Sequence, residues 1–347
     1  MEKIETLSDF LHQAGAKYCV FDMGRRVIKL TPDEFVGFEG ATKPYPYPFQ
    51  KMALFAVIFC DPSSLDEHYV WFLRFPLDEQ GLLVQAARDE FLVTVLERVG
   101  ACLLAEGEGK KIEGALKDSP YSFNPREDKM AAFNAQATSG LNLPASQFYE
   151  DALKYFTGQS DLDKWQHLGM QGVADFVIRM DGAEQTLSLI ETLPNLPDEP
   201  FMVLTSFLEH GKPVAGIVEV LDQLLLTELQ EKQPNVHKVA ACLRAASNGP
   251  AHGLLQKMVD NTLKHDCCRH IEVLATISGR CWTTLKHAQT CQNYVEQLAR
   301  NDAGHGAFDQ VLADLMFLPS MRPYIMAALR SPERSIRLTR AIGKMLG

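Results

Sequence analysis

Met52-Ala53-Leu54-Phe55-Ala56-Val57-Ile58-Phe59-Cys60 is the longest wholly apolar run in the 347-residue chain. It is far short of the roughly 20 apolar residues that cross a bilayer, so it is not a membrane span. Rich in Phe, Val and Ile and closed by Asp61-Pro62-Ser63-Ser64, it predicts a strand buried on both faces. Residues 69–75 then read as its neighbour. Upstream, the β-prone runs 18–22 and 26–30 flank Met23-Gly24, where glycine is expected to supply the positive φ of a tight hairpin. Residues 6–14 predict a short helix with Ser8 as N-cap and Gly15 as stop, and Thr31-Pro32-Asp33-Glu34 starts another. Downstream, Pro76 to Gly81 break the strand. Leu83, Ala86, Ala87, Phe91, Val95 and Leu96 follow at helical spacing up to Gly100.

From Phe148 onward the pattern changes. Helix-length apolar segments are punctuated by Pro200, Gly211, Pro213, Pro234, Gly249-Pro250, Gly279, Gly304, Pro319 and Pro332. Val203, Leu204, Phe207 and Leu208 share one helical face, and Ile217, Val220, Leu221, Leu224 and Leu225 share the next. Paired as 200–229, 234–263, 266–300 and 304–329, these segments have the roughly 30- to 35-residue scale of two-helix repeats. The ankyrin and tetratricopeptide signatures are missing from them, which leaves a HEAT-like solenoid or an irregular bundle. Between Glu106 and Ser146, charge clusters alternate with Gly, Pro and Ser around one helix-prone piece at 129–137. The predicted organisation is an α+β sheet domain over 1–105, a linker with a short helix over 106–147, and an all-helical array over 148–347.

The resemblance of four stretches adds a family. SDFLHQAGAKYCVFDMGRRVIKL (8–30), PYPYPFQ (44–50), RFPLDEQGLLVQAARDEF (74–91) and WQHLGMQGVADFVIR (165–179) resemble an uncharacterised proteobacterial family of unknown function, over nearly the full chain. The resemblance implies a bacterial origin. It brings no assigned activity, cofactor or catalytic residue.

Composition narrows the classes of function. At 46% hydrophobic and 22% charged residues the chain is globular material with enough length for two cores. Glu2, Lys3 and Glu5 near the start lack the cationic opening of a secretory signal, and eight cysteines fall without regular spacing. A soluble cytoplasmic protein with reduced thiols is therefore expected. A net charge of −10 argues against general nucleic-acid binding. Glu106-Gly107-Glu108-Gly109-Lys110-Lys111 is not a phosphate loop, because the first Walker glycine would fall at Leu104 and Lys111 stands at the Ser/Thr position. Residues 100–109 follow a helix rather than a strand, the wrong context for a dinucleotide fingerprint.

Three groups of residues remain as candidates. Cys267 and His270, at i, i+3, and His287 and Cys291, at i, i+4, have ligand types that suit zinc. CxxC and HExxH motifs are absent, and buried cysteines and cap histidines are common, so a structural role is the first reading and no metal or other cofactor is expected. No cysteine carries the local signature of a nucleophile, so no catalytic residue is assigned. Arg330, Arg334, Arg337, Arg340 and Lys344 recur at helical intervals opposite Leu338, Ile342 and Met345, which makes the last helix basic and amphipathic. It reads as a solvated end cap, or as the contact for an acidic protein, RNA or lipid headgroups. Arg25 and Arg26, with Tyr45 and Tyr47 of the Pro-Tyr alternation, either present an aromatic and cationic surface to a partner or pack within their loops.

The expected function is a non-enzymatic protein-binding adaptor or scaffold of a bacterial cytoplasm with a protein partner, for which an acidic surface is one option. Nucleic acid is expected only through the C-terminal basic helix. The alternatives are a small-ligand sensor with a pocket in the N-terminal unit, and a metal protein or enzyme using the Cys/His cluster.

Overall fold

The structure, a computed structural model, describes residues 4–60, 68–98, 116 and 119–345. Residues 61–64, Cys102 and 100–111, which bear on the strand end, one thiol and the rejected phosphate loop, lie outside the described residues. Contacts divide the chain into two compact units, one of Met1–Phe133 with Phe317–Pro319, the other of Asn134–Met316 with Ser320–Gly347.

The first unit is built on a four-stranded antiparallel sheet. Its strands are β1 (Lys17–Asp22), β2 (Ile28–Lys29), β3 (Met52–Cys60) and β4 (His68–Pro76), in the order β2-β1-β3-β4. Val57 of β3 stands opposite Val20 of β1 and Trp71 of β4, and Phe55 opposite Asp22 and Leu73. On that face Phe55 meets Phe35 and Phe38 of α2 (Pro32–Glu39) at ring separations of 5.7 and 5.8 Å. Phe75 meets Phe91 of α3 (Gln85–Arg98) at 5.2 Å, and α1 (Leu7–Gln13) adds Leu7, Phe10 and Leu11 to the same core. On the opposite face Phe21 and Phe72 meet Phe133 of α4 (Glu127–Gly140) at 5.5 and 5.3 Å. Strand β3 is thus covered on both sides, as its unbroken apolar run requires.

Local chemistry accounts for the helix starts, with one correction. In α1 the N-cap is Thr6, not Ser8, because Thr6 and Asp9 form a reciprocal capping box at 3.0 and 3.1 Å. Ser8 instead donates its N–H to Glu39 and accepts the Tyr18 hydroxyl. Thr31 caps α2 with Glu34 and Pro32 at the first helical position, as the sequence indicates. The reversal after β1 also differs. It spans residues 23–27, so β2 keeps two residues, and Gly24 does not take a positive φ. Its value is close packing, since a Cβ there would stand 3.2 Å from that of Phe49.

The second unit is all helical. Following α5 (Tyr149–Phe156), the helices α6 (Met170–Arg179), α7 (Ala183–Thr192), α8 (Asp198–Leu208), α9 (Ala215–Gln230), α10 (Val236–Ala246), α11 (His252–Lys264), α12 (Ile271–Arg280) and α13 (Ala288–Leu298) alternate between two layers. The even-numbered members α6 to α12 stack on one another, and α7, α9, α11, α13 and α15 (Arg322–Leu329) form the other layer. Later in the chain come α14 (His305–Phe317), just before α15, and α16 (Ile336–Met345), which touches α13. Each of the four predicted pairs is a pair of helices in the structure. The stripes are buried for the most part, with Leu204, Phe207 and Leu208 of α8 and Ile217, Leu221 and Leu225 of α9 at 2% exposure or below, whereas Val203, Val220 and Leu224 are half-buried.

Candidate functional site

The basic segment is divided by its own local chemistry. Arg330 is the C-cap of α15, and Arg334 lies in the connection that follows, its guanidinium donating to the Leu329 carbonyl at 3.1 Å and to Thr339 Oγ1 at 3.2 Å. Neither cation is on the last helix, which corrects the expectation of one continuous basic helix. Helix α16 starts only at Ile336, because Pro332 stands in the connection and Ser335 supplies a cap, its hydroxyl accepting from the Leu338 N–H at 3.1 Å. Ser335 also donates its N–H and hydroxyl to the Glu296 carboxylate of α13, at 2.8 and 2.6 Å. This pairing and the burial of Leu338 and Ala341 dock α16 on the array.

Docking leaves one side of α16 facing a groove of about 540 Å³. One wall is Ile336, Arg337, Arg340, Ala341 and Lys344; the other is Ala299, Asn301, Gly304, His305 and Phe308. Gly304, at φ 88°, turns the chain from the end of α13 into α14, and nothing lies within 4 Å of where its Cβ would stand. Arg337 donates Nε to the Ala299 carbonyl at 3.2 Å, which fixes it against the C-terminus of α13. Among the described residues no carboxylate lines the groove and none of its three cations is ion-paired, while His305 on the opposite wall stands 3.5 Å from Asp309. Ile336, 74% exposed, forms an apolar rim beside them. The arrangement can hold an anionic group that brings an apolar side chain with it.

Arg25, Arg26 and Tyr45 are not on the surface; they are 1%, 7% and 0% exposed, and Tyr47 is half-buried. Arg25 donates Nε to the Pro48 carbonyl at 2.7 Å, and Lys129 of α4 donates to the Arg25 carbonyl at 3.1 Å. The Tyr45 hydroxyl donates to Asp22 Oδ1 at 2.8 Å, and the Arg26 N–H donates to Oδ2 at 3.2 Å. Burial pushes the Asp22 carboxyl up to about 6, against the pull of Lys129 and these hydrogen bonds. The Arg and Tyr residues are brought together, but as the polar interior of the sheet unit. Arg25, Arg26 and Tyr45 are thus enclosed and not presented to a partner, with Tyr47 half-buried beside them.

The Cys/His set is dispersed. Cys267 sits in a 3-10 turn, and His270 caps α12, accepting from the Glu272 N–H at 3.4 Å, with Asp302 at 3.6 Å from its Nε2. His287 is exposed with Thr290 Oγ1 at 3.3 Å, while the Cys291 thiol is buried against the Tyr324 carbonyl at 3.6 Å. No group of three His, Cys, Asp or Glu side chains that could hold a metal ion is formed among the described residues. Burial pushes the thiols of Cys267 and Cys291 up to about 11, so both are protonated at neutral pH. Below the sheet, a cavity beside Phe35, Phe38, Glu39 and Phe91 has about 20 Å³, the room of one water.

Sheet unit and layered helical array define a two-unit protein, with the cation-lined groove beside the last described helix of the array. The chain belongs to the family described as "Protein of unknown function (DUF3549)", which matches residues 2–346. No curated protein and no solved structure matches it. No helix among the described residues is long and apolar enough to cross a membrane.

Sequence reasoning found Arg337, Arg340 and Lys344 but missed the opposite wall at Asn301, His305 and Phe308, and the anchoring pair Glu296 and Ser335. A serine shortly after a proline and just before an amphipathic run is an N-cap signal that points to Ser335. No local signal points to the others.

Proposed function

We propose that the protein is a non-enzymatic adaptor of the bacterial cytoplasm, which holds a protein partner on its helical array, with the array acting as a HEAT-like platform. The observation that carries this reading is the groove beside α16, where three cations without a carboxylate partner among the described residues stand next to an exposed isoleucine. Exposed charge beside exposed apolar surface is the composition of a protein contact. Burial that raises the Cys267 and Cys291 thiols gives no support to a nucleophile reading, and the separation of the Cys/His side chains among the described residues gives none to a metal reading. The small cavity below the sheet gives no support to a ligand sensor there.

The test is to purify the native protein from its own cells, identify what accompanies it by mass spectrometry, and rebuild the complex from the two purified chains. The expected result is a stoichiometric complex that survives nuclease and weakens as salt is raised. Recovery of the protein alone, carrying a metal ion or a small molecule, contradicts the proposal.

A further inference from the structure

We infer that the groove between α14 and α16 takes a short acidic segment of a protein, in which two or three carboxylates are accompanied by an apolar side chain that covers Ile336. This deepens the adaptor reading and rests on it.

Three features select this occupant. Arg337, Arg340 and Lys344 lie along α16 over about 10 Å at 1.5 Å per residue. That span matches a few carboxylates on neighbouring turns or alternate strand positions, and is short for the running phosphate contacts of a nucleic-acid backbone. The chain's net charge of −10 repels a polyanion at longer range, whereas a local acidic segment feels chiefly the groove. The apolar rim has no use for phosphate, but it suits a side chain such as leucine or phenylalanine. The fixed geometry also separates this surface from a lipid-binding helix. A basic amphipathic helix binds a membrane by burying its apolar face in the headgroup boundary. Here most of the apolar face is taken, since Leu338 is fully buried, Ala341 is 9% exposed, and Ile342 and Met345 are half-buried. Ile336 is the large apolar residue of α16 that stands exposed beside the cations. Arg337 is held by the Ala299 carbonyl, so part of the cationic wall is set before a partner arrives.

The test is a random-peptide display selection on the full-length protein, counter-selected on the Arg337→Glu, Arg340→Glu double variant. Both positions are exposed, so the variant is expected to fold; Arg340→Gln with Lys344→Gln serves as a milder second variant. The expected outcome is enrichment of peptides with at least two Asp or Glu residues next to Leu, Ile or Phe. Their affinity should fall at least roughly tenfold in the double variant, consistent with truncation of close interfacial charges. It should also fall a few-fold in Ile336→Ser. Enriched peptides without acidic residues, or equal binding to the double variant, would overturn the inference. So would tighter groove-dependent binding of oligothymidylate or of phosphatidylglycerol vesicles than of any selected peptide. The adaptor reading fails separately: a rebuilt complex that ignores the double variant leaves the adaptor standing and removes the groove, whereas no protein partner at all removes the adaptor.

Discussion

Arg25 and Arg26 in the sheet unit and Arg337 and Arg340 in the array carry the same charge and have opposite fates. The first two are buried at 1% and 7% exposure, and the second two stand exposed beside a groove. The difference lies in what each fold offers the side chain. In the sheet unit the loop after β1 is tied through its backbone to the Asp22 carboxylate and Lys129, and the enclosed Arg25 guanidinium fills interior space and donates to the Pro48 carbonyl. In the array, α16 needs only Leu338 and Ala341 to dock, and Glu296 is already engaged by Ser335. Arg337 reaches only the Ala299 carbonyl, and the cations of α16 have no carboxylate partner among the described residues. Buried charge holds a fold in place, and exposed charge without a partner is available to another molecule.

That contrast can be broken by substitution. The largest effect is expected from Arg25→Ala, which empties a fully buried site and orphans the Pro48 carbonyl; the sheet unit should lose about 3 to 5 kcal/mol. Hydrogen exchange of β1 and β3 reads it, and a loss under about 1 kcal/mol would place Arg25 in the class of surface charges. Next is the pH dependence of the same unit. Glu39 is 4% exposed, and burial pushes its carboxyl up to about 7 from the ordinary 4.5. Between those values the folded state binds more protons than the unfolded state. Stability attributable to Glu39 is therefore greatest below pH 4.5 and declines until about pH 7, by roughly 3 kcal/mol over the window. Glu39→Gln should abolish that slope; a wild-type stability that rises relative to the variant across this window would reverse the sign.

Smaller effects belong to the array. Ser335→Ala removes the α16 cap and its tie to Glu296, and should cost about 1 kcal/mol with faster amide exchange in the first turn of α16. Unchanged exchange there would show that Leu338 and Ala341 hold the helix unaided. Arg340→Glu should shift global stability by no more than about 0.5 kcal/mol in a denaturant titration. A larger loss would make Arg340 a structural residue and weaken its assignment to a partner.

The parts of this molecule written in short-range patterns were legible. Thr31-Pro32 marks the start of α2, the apolar run at 52–60 marks the central strand, and alternating stripes and breakers mark the helix pairs from α8 to α15. The parts that depend on distant contacts were not. Arg25 is held in place by residues 23 and 104 positions away, so neither its sequence neighbours nor its charge reveals its burial. The Cys/His spacing suggested shared helical faces, but the 3-10 turn at 266–269 and the cap at His270 break the helix that would have aligned them. Only one wall of the groove was visible, since the other comes from the turn between α13 and α14, some 30 residues earlier in the chain.

The central claim is that the exposed cations of α16, not the buried ones of the sheet unit, meet the partner. Hydrogen–deuterium exchange of the full chain, alone and in its rebuilt complex, tests it most directly. Slowed exchange is expected at 299–308 and 336–345 on binding, with 17–30 and 52–60 unchanged. Protection confined to the sheet unit, with the groove segments exchanging as in the free protein, would contradict it.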